Sequence, residues 1–105
     1  MNKQRRKQLS DIKEKMNEIL TDIEALGEQL EEIAGEIEEV KDEEESAYDN
    51  LPESLQEGER GQRMMEAVEY LDGAISELES VSSSLEEAVN GMEDVFSNMD
   101  EAANC

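Results

Sequence analysis

The chain has 105 residues, 36% of them hydrophobic, and its aromatic residues are Tyr48, Tyr70 and Phe96. A chain this short holds one domain or one elongated module, and this composition cannot fill a thick globular core, although Leu, Ile, Val, Met and Ala suffice for the seam of a helical bundle. The formal charge is −21, from 30 acids against 9 bases, which argues against general affinity for nucleic acid or anionic membrane.

The sequence contains no His and one Cys, at position 105. A disulfide framework is thereby excluded, zinc or copper chemistry is not expected, and Cys105 is assigned no role. No cofactor is expected. No apolar run approaches the ~20 residues of a membrane span, and the basic start lacks the apolar stretch of a signal peptide. The expected location is the cytoplasm.

The first predicted element is a helix over about residues 4–48. From Leu9, apolar residues recur at steps of three and four: Ile12, Met16, Ile19, Ile23, Leu26, Leu30, Ile33, Ile37 and Val40. With Leu9 at a heptad a position and Ile12 at d, this is the pattern of a coiled-coil seam. Glu44 interrupts it, and Ala47 and Tyr48 close the segment.

A connector follows over about residues 49–61, in a wider non-repetitive stretch, 48–63. Pro52 disfavours helix at Leu51 and can open a new helical turn. Gly58 and Gly61 punctuate the chain before the next helix. A plain helical hairpin needs about two to five linking residues, so this longer segment is the natural place for function. Arg60 and Arg63 are two of the three bases after position 15, Lys41 being the other. They lie at a predicted helix start, where free backbone N–H groups favour an anion, and Gly61 between them permits close approach to the backbone. Tyr48 offers a ring for stacking, while Asp49 and Asn50 offer hydrogen bonds to a base or sugar. The plainer reading is that the arginines balance Glu57, Glu59 and Glu66.

The second predicted helix covers about residues 62–102, with a seam of Met64, Val68, Leu71, Ile75, Leu78, Ser82, Leu85, Val89, Met92, Phe96 and Met99. Val68 is a and Leu71 is d. Asn90-Gly91 is the expected place for a kink or an early end, and Ser82 can specify register at some cost in stability.

In an antiparallel pair, an a residue shares a layer with a d residue of the other helix. The two runs match in this way with residue numbers that sum to 108 in every layer, from Leu9 with Met99 to Glu44 with Met64. The fold class expected is therefore all-α: a long antiparallel helical hairpin, forming one module. Further apolar residues widen the faces, with Ala67, Ala74, Val81, Ala88, Val95 and Ala102 at g of helix two and Leu20, Gly27 and Ala34 at e of helix one. Such faces predict pairing of hairpins into a four-helix bundle or a larger homo-oligomer. Antiparallel pairing of two hairpins would bring each connector near the other's Lys3, Arg5, Arg6 and Lys7. Arg5 and Arg6 thus join the candidate ligand-binding residues.

The segment from Asp49 lacks the ligand pattern of an EF-hand loop, and Gly58–Arg63 lacks the Lys-Ser/Thr of a phosphate loop. No nucleophile has a base beside it, so no catalytic residues are assigned and the chain reads as a non-enzyme. The stretch AYDNLPESLQEGERG, residues 47–61, followed by heptads such as AVEYLDGAISELESV, resembles small acidic helical proteins encoded by phages and prophages of Gram-positive bacteria. The resemblance implies a genomic context rather than a mechanism, with the cytoplasm of an infected host cell as the location. Small phage proteins of this size often act against bacterial immunity. Three functions follow as expectations. One is a counter-defence sponge that sequesters a nucleotide-derived immune signal through Tyr48, Asp49, Asn50, Arg60, Arg63, Arg5 and Arg6. Another is an acidic DNA mimic, because residues 31–45 hold nine acids and one base and a basic host defence nuclease would bind them. The third is a structural or scaffolding coiled-coil interaction protein.

Overall fold

A computed structural model describes Met1–Cys105, and the chain is all-helical: α1 spans Lys3–Asp49, α2 Glu53–Gln56 and α3 Glu59–Ala103. The two long helices are those that the heptads predict. Helix two begins earlier than expected, at Glu59, so the linking segment is shorter than the composition suggested and contains a turn of helix of its own. Neither Asn90 nor Gly91 interrupts α3, because the surrounding Leu, Val, Met and Glu residues keep the helical period through them.

The chain divides into two units: a terminal unit of residues 1–28 and 82–105, and a turn unit of residues 29–81. In the terminal unit the backbone of Arg5 donates to Asn2 Oδ1 at 2.8 Å, which supplies an N-cap to α1. Arg6 Nε donates to the Ala103 carbonyl at 2.8 Å, and the Met1 ammonium donates to the Cys105 carbonyl at 2.5 Å. The Ala103 carbonyl is one that the end of α3 leaves without a helical partner, so the Arg6 cation is well placed there. Lys13 Nζ bonds Asp100 Oδ1 at 2.8 Å and stands 5.9 Å from the centre of the Phe96 ring.

In the turn unit, α1 ends as the N–H groups of Asn50 and Leu51 bond back to the carbonyls of Ser46 and Tyr48. Pro52, extended at φ −56° and ψ 145°, then starts α2, and its carbonyl accepts from both Leu55 and Gln56. The Gln56 side-chain amide donates to the Tyr48 carbonyl at 2.9 Å, capping the end of α1. Gly61 is buried against the Gln56 backbone, and a Cβ at that position would overlap the Gln56 carbonyl. Glycine is required there by close approach of two backbones.

Leu9 and Met99 line one depression and Glu44 and Met64 another, which are the partners expected from the sum of 108. The rotation of α1 about its own axis differs from expectation. Its half-buried seam residues are the a row (Leu9, Met16, Ile23, Leu30, Ile37 and Glu44) and the e row (Lys13, Leu20, Gly27, Ala34, Lys41 and Tyr48). The d row, expected inside, is exposed: Ile12, Ile19, Leu26, Ile33 and Val40 retain between 43% and 53% of their surface. Exchanging d for e amounts to a roll of about 50°, half of the ~100° step per residue.

Gly27 stands in the e row with open space around it, nothing lying within 4 Å of an added Cβ. Lys13 and Lys41 meet Asp100 and Asp72, which stand at e of α3. On α3 the expected a and d rows do face the seam, Val68 at 3% exposure being the one buried apolar side chain.

Candidate functional site

The positions singled out for ligand binding fall in both units. In the turn unit, Arg60 and Arg63 line an open depression of about 380 Å³ with Glu44, Glu59 and Met64. Arg63 is engaged by Glu59 one turn earlier, at 2.7 Å, with both side chains largely exposed. An anion entering here would meet two carboxylates as well as two guanidinium groups.

Tyr48, Asp49 and Asn50 do not line this depression. Tyr48 is half-buried at the end of α1, whereas Asp49 and Asn50 are exposed. Gly61, expected to admit a ligand to the backbone between the arginines, has that space filled by Gln56. The glycine is used to fold the connector. Gln56 itself gave no signal in the sequence beyond its place in the non-repetitive segment, since a side-chain cap depends on where the turn returns the chain.

In the terminal unit Arg5 lines a shallow depression of about 570 Å³ together with Met1, Gln8, Leu9, Asp11, Ile12 and Lys15. Its floor is apolar, from Leu9 and the outward Ile12, and its charged rim carries Arg5, Lys15 and Asp11. Arg6 faces elsewhere, bonded to the end of α3, so its charge is used to hold the chain ends together.

Lys41 is the most engaged base of the turn unit. Its side chain is 18% exposed and its Nζ lies 2.8 Å from Asp72 Oδ1. The hydrogen bond that Lys41 donates to the Asp72 carboxylate raises the Lys41 pKa above its ordinary 10.5, with the charges of Asp72, Glu45 and Asp42 adding to it against partial desolvation. No group of three or more His, Cys, Asp or Glu side chains is placed to hold a metal ion, and no helix is long and apolar enough to cross a membrane.

The surface also exposes apolar side chains in rows. Because the e rows of α1 and α3 face each other across the seam, the exposed d row of α1 lies on the other side of the hairpin, where the g row of α3 also lies. In the terminal unit this face presents Ile12, Ile19, Leu26 and Val95, and in the turn unit Ile33, Val40 and Val81, all exposed. Comparison of the chain with protein-family models, curated proteins and solved structures finds no match.

Proposed function

We propose that the chain is a non-enzymatic interaction protein that works as a self-associating helical hairpin, its d row buried in a bundle of hairpins. The observation that carries this reading is the exposure of five aligned Ile, Leu and Val side chains on a chain whose only buried apolar side chain is Val68. A soluble monomer rarely leaves such a contiguous strip in water. The accessible surface is 7831 Å² for an 11.8 kDa chain. A folded monomer of that mass exposes roughly 5,900 Å². The excess for one chain is more than the roughly 800 Å² that each partner of a standard interface buries.

Sedimentation velocity tests the reading. The parent protein should sediment as a multiple of its mass, and a variant carrying Ile19→Glu and Ile33→Glu should sediment as one chain. A parent protein that runs as a monomer overturns it.

A second reading has its own support. Arg60 and Arg63 line one open depression, and Arg5 and Lys15 another, in a chain with only nine bases. Joined to the resemblance to phage proteins, this favours a counter-defence sponge for a nucleotide-like anion, completed at the ends of an assembled bundle. Calorimetry with cyclic dinucleotides, cyclic trinucleotides and ADP-ribose derivatives should then show binding that Arg60→Ala and Arg63→Ala weaken. Absence of heat with every ligand, from protein that remains assembled, would end this second reading.

A further inference from the structure

We infer that the occupant of the exposed d row is a second copy of this chain, laid antiparallel along α1, with Leu26 facing its own counterpart near a two-fold axis. The inference rests on the interaction reading above and adds the order in which two copies pair.

The five d residues are symmetric about Leu26. Antiparallel pairing then sets Ile12 against Val40 of the second copy, and Ile19 against Ile33, so that all five find an apolar partner. A shift of one heptad either way leaves one of them without a counterpart in each copy.

Charge selects the same arrangement. The g row of α1 borders the d row on its solvent side and reads Gln8, Lys15, Asp22, Gln29, Glu36 and Glu43. In the centred antiparallel order Lys15 meets Glu36 of the second copy, Gln8 meets Glu43, and Asp22 meets Gln29. No like charges face each other. A one-heptad shift sets Asp22 against either Glu36 or a second Asp22. Parallel pairing would place Lys15, Asp22, Glu36 and Glu43 each against itself, with like charges at four positions.

The ends of the strip agree. Arg5 continues the d row one heptad before Ile12 and comes level with Ala47 of the second copy, one turn from its Glu43. Basic residues at the N-terminus of α1 are unfavourable for the helix alone, which has no acid in its first turn. Glu43 of the second copy supplies an acid there. The apolar floor at Leu9 and Ile12 would then receive Val40 of the second copy. This is an isologous interface, the commonest kind in soluble oligomers.

Disulfide trapping in the assembled full chain tests the order, on a Cys105→Ser background. Ile12→Cys and Val40→Cys are placed in separate chains, one carrying a mass tag, and oxidised singly and mixed. The mixed sample should give the crosslinked heterodimer, while each single variant stays uncrosslinked. In parallel, Lys15→Glu should weaken dimerisation about five-fold, and adding Glu36→Lys to the same chain should restore it. A crosslink of Ile12→Cys chains to one another would establish parallel order and overturn the inference while leaving the interaction reading intact. A dimer in which neither variant crosslinks, alone or mixed, would place the interface elsewhere and overturn it too. A monomer would end both.

Discussion

Lys41 Nζ and Asp72 Oδ1 meet at 2.8 Å across the turn unit, and the equivalent contact in the terminal unit, Lys13 with Asp100, has the same length. In both pairs the residue numbers sum to 113, and both join an e position of α1 to an e position of α3. The pairs therefore show the same register in each unit. In both units the d row of α1 is left exposed.

Removing the Lys41 contact should loosen the turn unit. Lys41→Met and Asp72→Asn should each lower the melting temperature, and the double variant should lose less than the sum of the two. Arg63→Gln is the control, because Arg63 and Glu59 are more than three-quarters exposed and pair within one helix. Thermal unfolding by circular dichroism makes the comparison. Equal losses at the two sites would contradict the structural role given to Lys41.

The same contact sets a pH dependence. The folded pKa of Lys41 is raised above 10.5, so its stabilising contribution is fully present below the unfolded value and is lost as pH rises through the folded one. Stability measured by denaturant titration should therefore fall more steeply above pH 10.5 for the parent than for Lys41→Met. Parallel curves would show that the pair contributes nothing to folding.

Two glycine substitutions should act in opposite directions. Gly61→Ala places a methyl against the Gln56 backbone and should cost about 1–3 kcal/mol. Gly35, at a solvent-facing position of α1, has nothing within 4 Å of an added Cβ, so Gly35→Ala should stabilise by about 0.5–1 kcal/mol. Urea unfolding of the two variants measures both signs.

Exposed d residues should matter to assembly more than their exposure in one chain suggests. Burying an Ile side chain is worth about 1.5–3 kcal/mol, and each interface between two copies uses every d position twice. Ile19→Glu should abolish association, whereas Tyr70→Glu, at a position 80% exposed on the far side from the seam, should leave it unchanged. Light scattering of both variants decides the matter.

With 30 acids against 9 bases, self-repulsion opposes both folding and assembly. Raising ionic strength to about 0.15 M shortens the screening length to about 8 Å. The melting temperature and the fraction assembled should both rise. A fall in either would mean that attractive pairs such as Lys13–Asp100 outweigh the repulsion.

The sequence alone determined the two long helices, their antiparallel sense and the layer sum of 108. Heptad spacing and a single breaker segment around Pro52 leave few other arrangements. It also marked Arg60, Arg63 and Arg5 as unusual, because a base is conspicuous among so many acids, and the structure places them at open depressions lined by acids as well. Tertiary structure alone decided which rows of α1 face inward. The a, d and e rows are all largely apolar or small, so periodicity admits either choice. The outcome shows only in the folded pair, where the a and e rows are half-buried and Lys13 and Lys41 reach Asp100 and Asp72. The connector was settled in the same way, since only the folded turn brings Gln56 to the Tyr48 carbonyl and presses Gly61 against it.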